Sequence, residues 1–253
     1  MRLGQSLGLA AHQKRHAPPA SWSNTYSIDT DGTDDYVSCA TGTDINFLHN
    51  GGTLSYWVKF DAITSGINAI GVNSSGKQLY MGLYSSSYTY SGYQGGSSYG
   101  SSGGISTGTW YMLTLTGTSG GTLKTYVNAV EKSSHSYTPG SSSNPPSYFC
   151  LGGTNSHATG GITLVNTING HQDEVGIWTE ALDGDAIAAL YNSGTPIDLT
   201  EDSGTYDNSD TLWAYWRCGD NDSGTGSTIT DQGSGSNDGT LAGGSAFASD
   251  VPS

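Results

Sequence analysis

The pattern of apolar and polar positions along this chain is mainly that of β-strands. Between Thr53 and Phe60 every second residue is apolar or aromatic. Side chains of a strand point alternately to its two faces, so this alternation predicts a strand with one buried face. Residues 109–117 and 122–130 alternate in the same way and predict a hairpin. The expected buried positions of the first strand are Leu54, Tyr56, Val58 and Phe60.

Residues 171–194 predict a strand that runs directly into a helix. Val175 and Ile177 alternate with more polar neighbours, which is the period of a strand. Asp183 then stands where a helix N-cap is expected. Apolar residues follow at helical spacing up to Gly194, a residue that commonly ends helices. The sequence therefore predicts one short helix, near residues 183–192, in a chain that is otherwise β.

Several of these stretches resemble one known family. The order DEVGIW, AL and LYNSG within His171–Gly194 resembles the closing segment of laminin-G-like domains of the concanavalin A-like superfamily. TLSYWVKF, at Thr53–Phe60, is similar to the core strand of that family. The segment Leu212–Gly244 resembles a motif that opens the domain in many relatives, whereas here it lies near the end of the chain. The resemblance implies an all-β jelly-roll sandwich of two antiparallel sheets, which we assign to residues 25–253.

The charge of the chain is strongly negative and unevenly distributed. The sequence has 22 acidic and 8 basic residues, for a net charge of −14. An excess of acid argues against nucleic acid as a partner, because phosphate binding needs basic surfaces. The first sixteen residues, however, contain Arg2, Lys14 and Arg15 and no acid. We interpret residues 1–24 as a basic arm that docks on another protein; the alternative is an unstructured, solubilising tail.

The composition suggests a protein that is exposed outside cells. The chain is poor in lysine and rich in glycine, serine, threonine and tyrosine, yet its first residues lack the apolar run of a signal peptide. No stretch is long and apolar enough to predict insertion into a membrane. This combination is typical of a phage virion protein released by lysis. The three cysteines, Cys39, Cys150 and Cys218, are too few for a disulfide framework and are expected to be buried thiols.

The sequence gives little sign of an enzyme. The related β-glucanases need two glutamates a few residues apart on one strand, serving as nucleophile and acid/base. The four glutamates of this chain do not form that pattern. A nucleophile elbow with the G-x-S-x-G spacing is also missing. We therefore predict a protein without catalytic residues, although these patterns alone leave a serine-based triad open. The glutamates are Glu131, Glu174, Glu180 and Glu201.

The resemblance also implies a structural Ca²⁺ site. In relatives an aspartate at the start of the last strand and oxygen atoms of the first-strand region bind the ion, which prefers oxygen ligands. By resemblance these positions are Asp173 together with Asp29 and Asp31. The alternative is that these aspartates only shape turns, as Asp-Gly sequences do.

A tyrosine-rich segment is the best candidate for recognition. Residues 85–104 carry several tyrosines among serine and glycine. Tyrosine offers a flat ring and a hydroxyl at low entropic cost, and sugars present C–H faces to such rings. The alternative is an edge strand whose tyrosines pack on the sheet or on another subunit. The candidate carbohydrate-binding residues are Tyr88, Tyr90, Tyr93 and Gln94.

From the sequence we therefore expect a non-enzymatic phage virion protein, a capsid decoration or appendage subunit with possible binding of surface glycans. It would be present in several copies on the virion surface and contact other virion proteins through the arm. The alternative is a secreted bacterial carbohydrate-binding module or adhesin, which would be extracellular. A glycosidase is the third reading.

Overall fold

Two antiparallel β-sheets stacked face to face form the protein. The computed structural model describes residues 22–39, 51–74, 77–93, 96–118, 120–136, 148–157 and 161–253. The predicted arm residues Arg2, Lys14 and Arg15 lie outside these ranges, as does Gln94. Among the described residues the only α-helix is α1 (Gly184–Tyr191). The structure thus confirms the predicted all-β sandwich with one short helix.

The first sheet has eight strands among the described residues, and β14 (Asn169–Trp178) is its central strand. One edge of β14 pairs with β3 (Gly51–Ala62), while the other pairs first with β1 (Ser27–Asp31) and then with β15 (Leu212–Trp216). In spatial order the strands are β10 (Val130–Ser136), β9 (Thr122–Val127), β8 (Trp110–Thr118), β3 (Gly51–Ala62), β14 (Asn169–Trp178), β1 (Ser27–Asp31) and β18 (Ala246–Ala248), with β15 (Leu212–Trp216) continuing beside β14.

The second sheet has ten strands among the described residues. All its pairs are antiparallel except the short contact between β12 and β4, which is parallel. Its main order is β16 (Thr228–Ile229), β17 (Gly239–Ala242), β2 (Tyr36–Cys39), β11 (Phe149–Leu151), β4 (Ile67–Ser74), β5 (Lys77–Tyr84), β6 (Tyr88–Tyr93) and β7 (Gly96–Ser101), with β12 (Thr154–Asn155) and β13 (Leu164–Val165) at one side.

The main core lies between the two sheets and uses the side chains that strand alternation directs inward. The four positions predicted for β3 are all buried there. From the other sheet, Leu79, Met81 and Leu83 of β5 face them. The rings of Phe149 and Trp216 stack across the gap with their centroids 5.8 Å apart. Burial of such large apolar side chains is the main stabilising contribution to a sandwich of this kind.

A second apolar layer covers the outer face of the eight-stranded sheet. Helix α1 packs onto this face because Ile187 and Leu190 recur on one side of the helix, and both are buried. The carboxylate of Asp183 accepts hydrogen bonds from the backbone N–H groups of Asp185 and Ala186, at 3.0 and 2.9 Å, and so caps the helix as predicted. The helix ends at Asn192, before Gly194, because Asn192 adopts the left-handed conformation with φ 42°.

The three cysteines are buried and free, as predicted from the sequence. Among the residues that the structure describes, none forms a helix with the length and hydrophobicity of a membrane span.

Candidate functional site

Strands β5 and β6 carry a row of tyrosines on the outer face of the ten-stranded sheet. Since Leu79, Met81 and Leu83 point into the core, the residues between them point outward. The pairing of β5 with β6 places Tyr84 opposite Tyr88, and Gly82 opposite Tyr90. We call the outward surface formed by Tyr80, Tyr84, Tyr88 and Tyr90 the tyrosine face.

Tyr80 and Tyr90 form the buried base of the tyrosine face. Their ring centroids are 5.0 Å apart, and the side chains are 0% and 9% exposed. Glycine at position 82, opposite Tyr90, lets β5 lie close to β4: a Cβ atom there would lie 2.5 Å from the Cβ of Ala69. Tyr90 was among the predicted sugar-binding residues, and its ring packs on the sheet, as the alternative considered from the sequence has it. Contact of Tyr90 with sugar stays a prediction.

Tyr84 and Tyr88 are the exposed part of the tyrosine face. They are 42% and 49% exposed, and with Val130 they make up the exposed large apolar residues of the described chain. Directly opposite residues of an antiparallel pair have Cβ atoms about 5 Å apart, so the two side chains rise from adjacent points of the sheet. Tyr88 was among the predicted residues, but Tyr84 was not. The signal for Tyr84 in the sequence is the alternation of β5, which places Tyr84 on the same outward face of the strand as Tyr80.

The hairpin that carries the two exposed tyrosines is held in place by hydrogen bonds at its tip. The backbone N–H groups of Ser102 and Ile105 donate to the carbonyl oxygens of Ser87 and Ser86, each at 2.9 Å. The hydroxyl of Ser102 also donates to the carbonyl oxygen of Ser86, at 2.8 Å. A surface fixed in this way before a ligand arrives loses less entropy on binding.

The described residues on this face of β4, β5 and β6 are all uncharged. They therefore offer rings, hydroxyls and amides to a ligand rather than ion pairs. The same residues place no cation on this face to attract an acidic ligand. They are Ile67, Ala69, Gly71, Gln78, Tyr80, Gly82, Tyr84, Tyr88, Tyr90 and Gly92.

The structure does not test two of the predicted sugar-binding residues, Tyr93 and Gln94. Tyr93 ends β6, where it pairs with Leu79 and Gly96 through the backbone. Gln94 lies outside the described residues. Their contribution to recognition stays a prediction.

A different polar site lies where β14 bulges. Asp173 pairs with Trp57 and Gly176 with Ser55, so β14 has an extra residue there. The bulge includes Glu174, whose φ is 47°. It also falls at the point where the partner of β14 changes from β1 to β15. As a result two adjacent carboxyl groups, both fully or nearly buried, occupy the same face of the sheet.

Arg217 compensates part of this buried negative charge. Its Nε atom lies 3.4 Å from Glu174 Oε1, and its Nη2 atom lies 3.1 Å from Asp220 Oδ2. The same guanidinium donates a hydrogen bond to the carbonyl oxygen of Ser23 and lies over the ring of Trp22. Arg217 thus fastens the segment before β1 to the segment after β15.

Burial still dominates the protonation of the two carboxyls. Burial raises the pKa of Glu174 to about 7, although Arg217 and a hydrogen bond from the Tyr215 hydroxyl both favour the charged form. Burial, reinforced by the adjacent Glu174, also raises the pKa of Asp173 well above its usual range. One oxygen of Asp173 accepts from the backbone N–H of Glu174 at 2.8 Å, while Oδ2 has no hydrogen-bond partner.

The predicted calcium ligands do not come together as one group. Asp29 lies opposite His171, and Asp31 lies opposite Asn169. These positions are two and four residues along β14 from Asp173, or about 7 and 14 Å. This placement corrects the predicted set: the antiparallel register separates Asp29 and Asp31 from Asp173. The side-chain amide of Asn24 contacts the carboxyl group of Asp173. The buried Oδ1 atom of Asn24, like Oδ2 of Asp173, has no hydrogen-bond partner.

A shallow cleft on the opposite sheet is a second possible binding surface. It has a volume of about 280 Å³ and lies between strands β8 and β9 and the start of α1. Tyr126 and Lys124 line it on one side and Asp183 on the other. Lys124 is ion-paired with Glu131 at 2.9 Å.

A laminin-G family model, described as the concanavalin A-like lectin/glucanases superfamily, matches residues 31–188. The chain belongs to this superfamily. The matched part of the laminin-G-like domain includes both the tyrosine face and the bulge of β14. A comparison with curated proteins finds no match to the chain.

Solved structures support the same fold. One similar structure is that of a candidate carbohydrate-binding protein from Bacteroides ovatus, with a TM-score of 0.63 and 18% identity. The match covers 91% of this chain and 62% of that protein, so the domain spans less than two thirds of its length. Another is the heptameric SAP-like pentraxin of Limulus polyphemus, with a TM-score of 0.58, 12% identity, and coverage of 89% and 95%. At these identities the likeness shows the fold alone.

The buried carboxyl of Glu174 generates a prediction about pH. The folded-state pKa of about 7 exceeds the ordinary glutamate pKa of 4.5, so this group's contribution to stability falls as pH rises from about 4.5 to about 7. Removing the guanidinium in Arg217→Ala raises the folded pKa further. We therefore expect this variant to lose roughly 1–3 kcal/mol of unfolding free energy at pH 8 and distinctly less at pH 5.

Urea unfolding at the two pH values measures this difference. The matched control is Lys124→Ala, which breaks an exposed ion pair and is expected to cost below about 1 kcal/mol at both pH values. An equal loss at pH 5 and pH 8 for Arg217→Ala would show that Glu174 does not depend on Arg217 for its charge.

Proposed function

We propose that this laminin-G-like domain is a non-enzymatic carbohydrate-binding protein that holds glycans on its tyrosine face. The observation that carries the proposal is the pair of exposed rings, Tyr84 and Tyr88, opposite each other on a hairpin whose tip is hydrogen-bonded to the following segment. Rings of this kind stack on the C–H faces of sugars, and their hydroxyls reach sugar hydroxyls. The fold-level likeness to a candidate carbohydrate-binding protein agrees with this proposal but does not identify the sugar.

The charge of the protein points to a neutral glycan. The described face is uncharged, and the whole chain carries a net charge of −14. Such a field repels polyanions at a distance and lowers their rate of association. Polysaccharides without uronic or sialic acids are therefore the expected ligands.

The glutamates support a binding role rather than hydrolysis. Glycosidases need two accessible carboxyls that flank the scissile bond, about 5 Å apart in retaining enzymes. Glu174 is buried beneath the second apolar layer, and Glu131 is ion-paired at the edge strand β10. Glu180 accepts hydrogen bonds from the side chains of Asn208 and Thr211. None of the three lies on the tyrosine face.

We further propose that the protein is displayed in several copies on a virion. Support comes from the charge division, with a basic arm of residues 1–24 preceding an acidic domain. Opposite charge on neighbouring virion proteins would attract the arm, and salt would weaken that attraction. A secreted bacterial binding module remains the alternative, and the genes beside this one distinguish the two.

Ca²⁺ is a proposed structural cofactor at the bulge of β14. The observation that favours it is the pair of buried oxygens without donors, Asp173 Oδ2 and Asn24 Oδ1. Buried oxygen atoms of this kind suit a hard cation, and a cation would offset the charge that burial otherwise disfavours. Asp220, near the same carboxyls, accepts from the backbone N–H of Thr25 at 2.9 Å and would add another oxygen.

Removal of both exposed rings tests the tyrosine face. We expect the double variant Tyr84→Ser with Tyr88→Ser to lose about 1 kcal/mol of binding free energy per ring, or roughly 10- to 100-fold in affinity. Folding is expected to remain intact because both side chains are nearly half exposed and lie outside the apolar core. Binding is measured by calorimetry with a neutral oligosaccharide selected on a glycan array.

Two controls sharpen this experiment. Tyr84→Phe with Tyr88→Phe keeps the rings and is expected to retain most of the affinity, while Val130→Ser removes an exposed apolar side chain elsewhere and is expected to change nothing. An unchanged affinity in the double serine variant would refute the proposed site. Release of reducing ends during incubation with the polysaccharide would refute the non-enzymatic assignment.

Removal of Ca²⁺ by a chelator tests the proposed calcium site. Removing Ca²⁺ with a selective chelator is expected to lower the melting temperature, because an ion that binds the folded state alone at 100 times its Kd stabilises it by about 2.7 kcal/mol. Asp173→Asn is expected to abolish the response, and the exposed control Asp210→Asn to preserve it. If the melting curves of the wild-type protein coincide with and without Ca²⁺, this cofactor is excluded.

A further inference from the structure

Three neighbouring strands bring Asp29, Asp61 and His171 together on the outer face of the eight-stranded sheet. They belong to β1, β3 and β14, respectively. The Nε2 atom of His171 lies 4.0 Å from Asp29 Oδ1 and 3.7 Å from Asp61 Oδ2. One ligand atom from each of the three residues lies within 4.8 Å of the others. This group is separate from the tyrosine face and from the carboxyls of the bulge.

Hydrogen bonding fixes which nitrogen of His171 faces the two carboxylates. The hydroxyl of Ser27 donates to the backbone carbonyl oxygen of Asp250, at 2.6 Å. Its proton is thereby used, so its oxygen acts as the acceptor towards His171 Nδ1, 3.4 Å away. The neutral ring then carries its proton on Nδ1 and its lone pair on Nε2. That lone pair is directed towards Asp29 and Asp61.

His171 has little freedom to turn away from this arrangement. The residue is 9% exposed, and the ring of Trp110 lies beside it with the centroids 6.2 Å apart. The Nε2 atom makes no hydrogen bond within this group, because both carboxylate oxygens are beyond 3.5 Å. An imidazole nitrogen that faces two carboxylates is stabilised when a positive charge lies between them, either a proton on Nε2 or a metal ion.

The basic residue nearest this group does not supply that charge. Lys59, opposite His171 on β3, is ion-paired with Asp250, which also accepts from the indole N–H of Trp110 at 2.9 Å. Within the described part of the chain, neither Asp29 nor Asp61 forms an ion pair with lysine or arginine. Among the described residues, no lysine or arginine therefore pairs with the two carboxyl groups beside this nitrogen.

We propose that Asp29, Asp61 and His171 bind a divalent transition-metal ion of the zinc class. Zn²⁺ takes imidazole nitrogen and carboxylate oxygen at about 2.0–2.2 Å, and solvent completes its coordination. Two ligands at that distance in tetrahedral geometry lie roughly 3.4 Å apart, so the distances of 4.0 and 3.7 Å from Nε2 need to shorten by roughly 0.6 and 0.3 Å. Asp29 and Asp61 are about half exposed and can make that adjustment.

The kind of metal follows from the ligands. Imidazole suits zinc, copper and nickel, whereas Ca²⁺ prefers oxygen atoms alone. The hydrogen bond from Nδ1 to the Ser27 oxygen is the support that metal-binding histidines usually have. A metal here would join β1 and β3 to the central strand β14 and fasten the first strand of the sandwich to the sheet.

Calorimetric titration of the full chain with ZnCl₂, after removal of metal by a chelator, tests this site. We expect one Zn²⁺ per chain, a rise in melting temperature, and no competition from CaCl₂ at equal concentration. Asp29→Asn combined with Asp61→Asn is expected to reduce Zn²⁺ affinity at least 10-fold. The control Asp34→Asn, in an acidic group of Asp31, Asp34 and Asp35 that lacks histidine, is expected to leave it unchanged.

Further variants separate this site from the bulge and from unrelated histidines. Asp173→Asn is expected to retain Zn²⁺ binding, and His171→Ala to lose it. If His171→Ala does not fold, the aspartate pair decides, since both side chains are about half exposed. Absence of Zn²⁺ binding to the wild type, or equal Zn²⁺ affinity in the Asp29 and Asp61 double variant, would overturn the proposal.

Discussion

The bulge at Asp173 and Glu174 is the constraint on which the rest of the eight-stranded sheet depends. Strand β14 pairs with β3 along one edge, but its other edge serves β1 first and β15 afterwards. A regular strand would direct one of two successive residues into the core. The bulge keeps both carboxyls on the outer face and allows Val175 and Ile177 to point inward again. The core therefore stays apolar before and after the point where the partner of β14 changes from β1 to β15.

That arrangement buries two adjacent carboxyl groups, and contacts between the segments that flank β15 and β1 offset their charge. Arg217, just after β15, reaches Glu174 and also binds the carbonyl oxygen of Ser23, just before β1. The proposed Ca²⁺ would add a second positive charge beside Asp173. On the same sheet face, His171 and the two aspartates opposite it form the proposed zinc site, so two ions would stabilise different junctions of one strand.

The tyrosine face depends on a different feature, the alternation of tyrosine with glycine across β4, β5 and β6. A side chain at position 82 would collide with Ala69 of β4, so glycine is needed there. Tyr90 lies opposite Gly82, and its ring packs against Tyr80 at the base of the face. Tyr84 and Tyr88, at the end of the hairpin, are 42% and 49% exposed. Recognition and packing are therefore shared among tyrosines that look alike in the sequence.

The sequence predicted most of the fold because the relevant signals are local. Alternation identified the inward face of β3, and Asp183 marked the start of α1. The site was predicted less completely, because it depends on register between distant strands. Tyr90 and Tyr88 are two residues apart on one strand and differ only in what lies opposite them. Asp29 and Asp173 belong to paired strands, but no local pattern shows that the register offsets them by two residues.

Nuclear magnetic resonance of the ¹³C-labelled tyrosine rings, during titration with a neutral oligosaccharide, tests the central claim most directly. The account predicts that the ring signals of Tyr84 and Tyr88 shift with the concentration dependence of binding, while those of the buried Tyr56 and Tyr206 stay in place. Shifts confined to Tyr126, in the cleft beside α1, would place recognition on the opposite sheet and contradict the account.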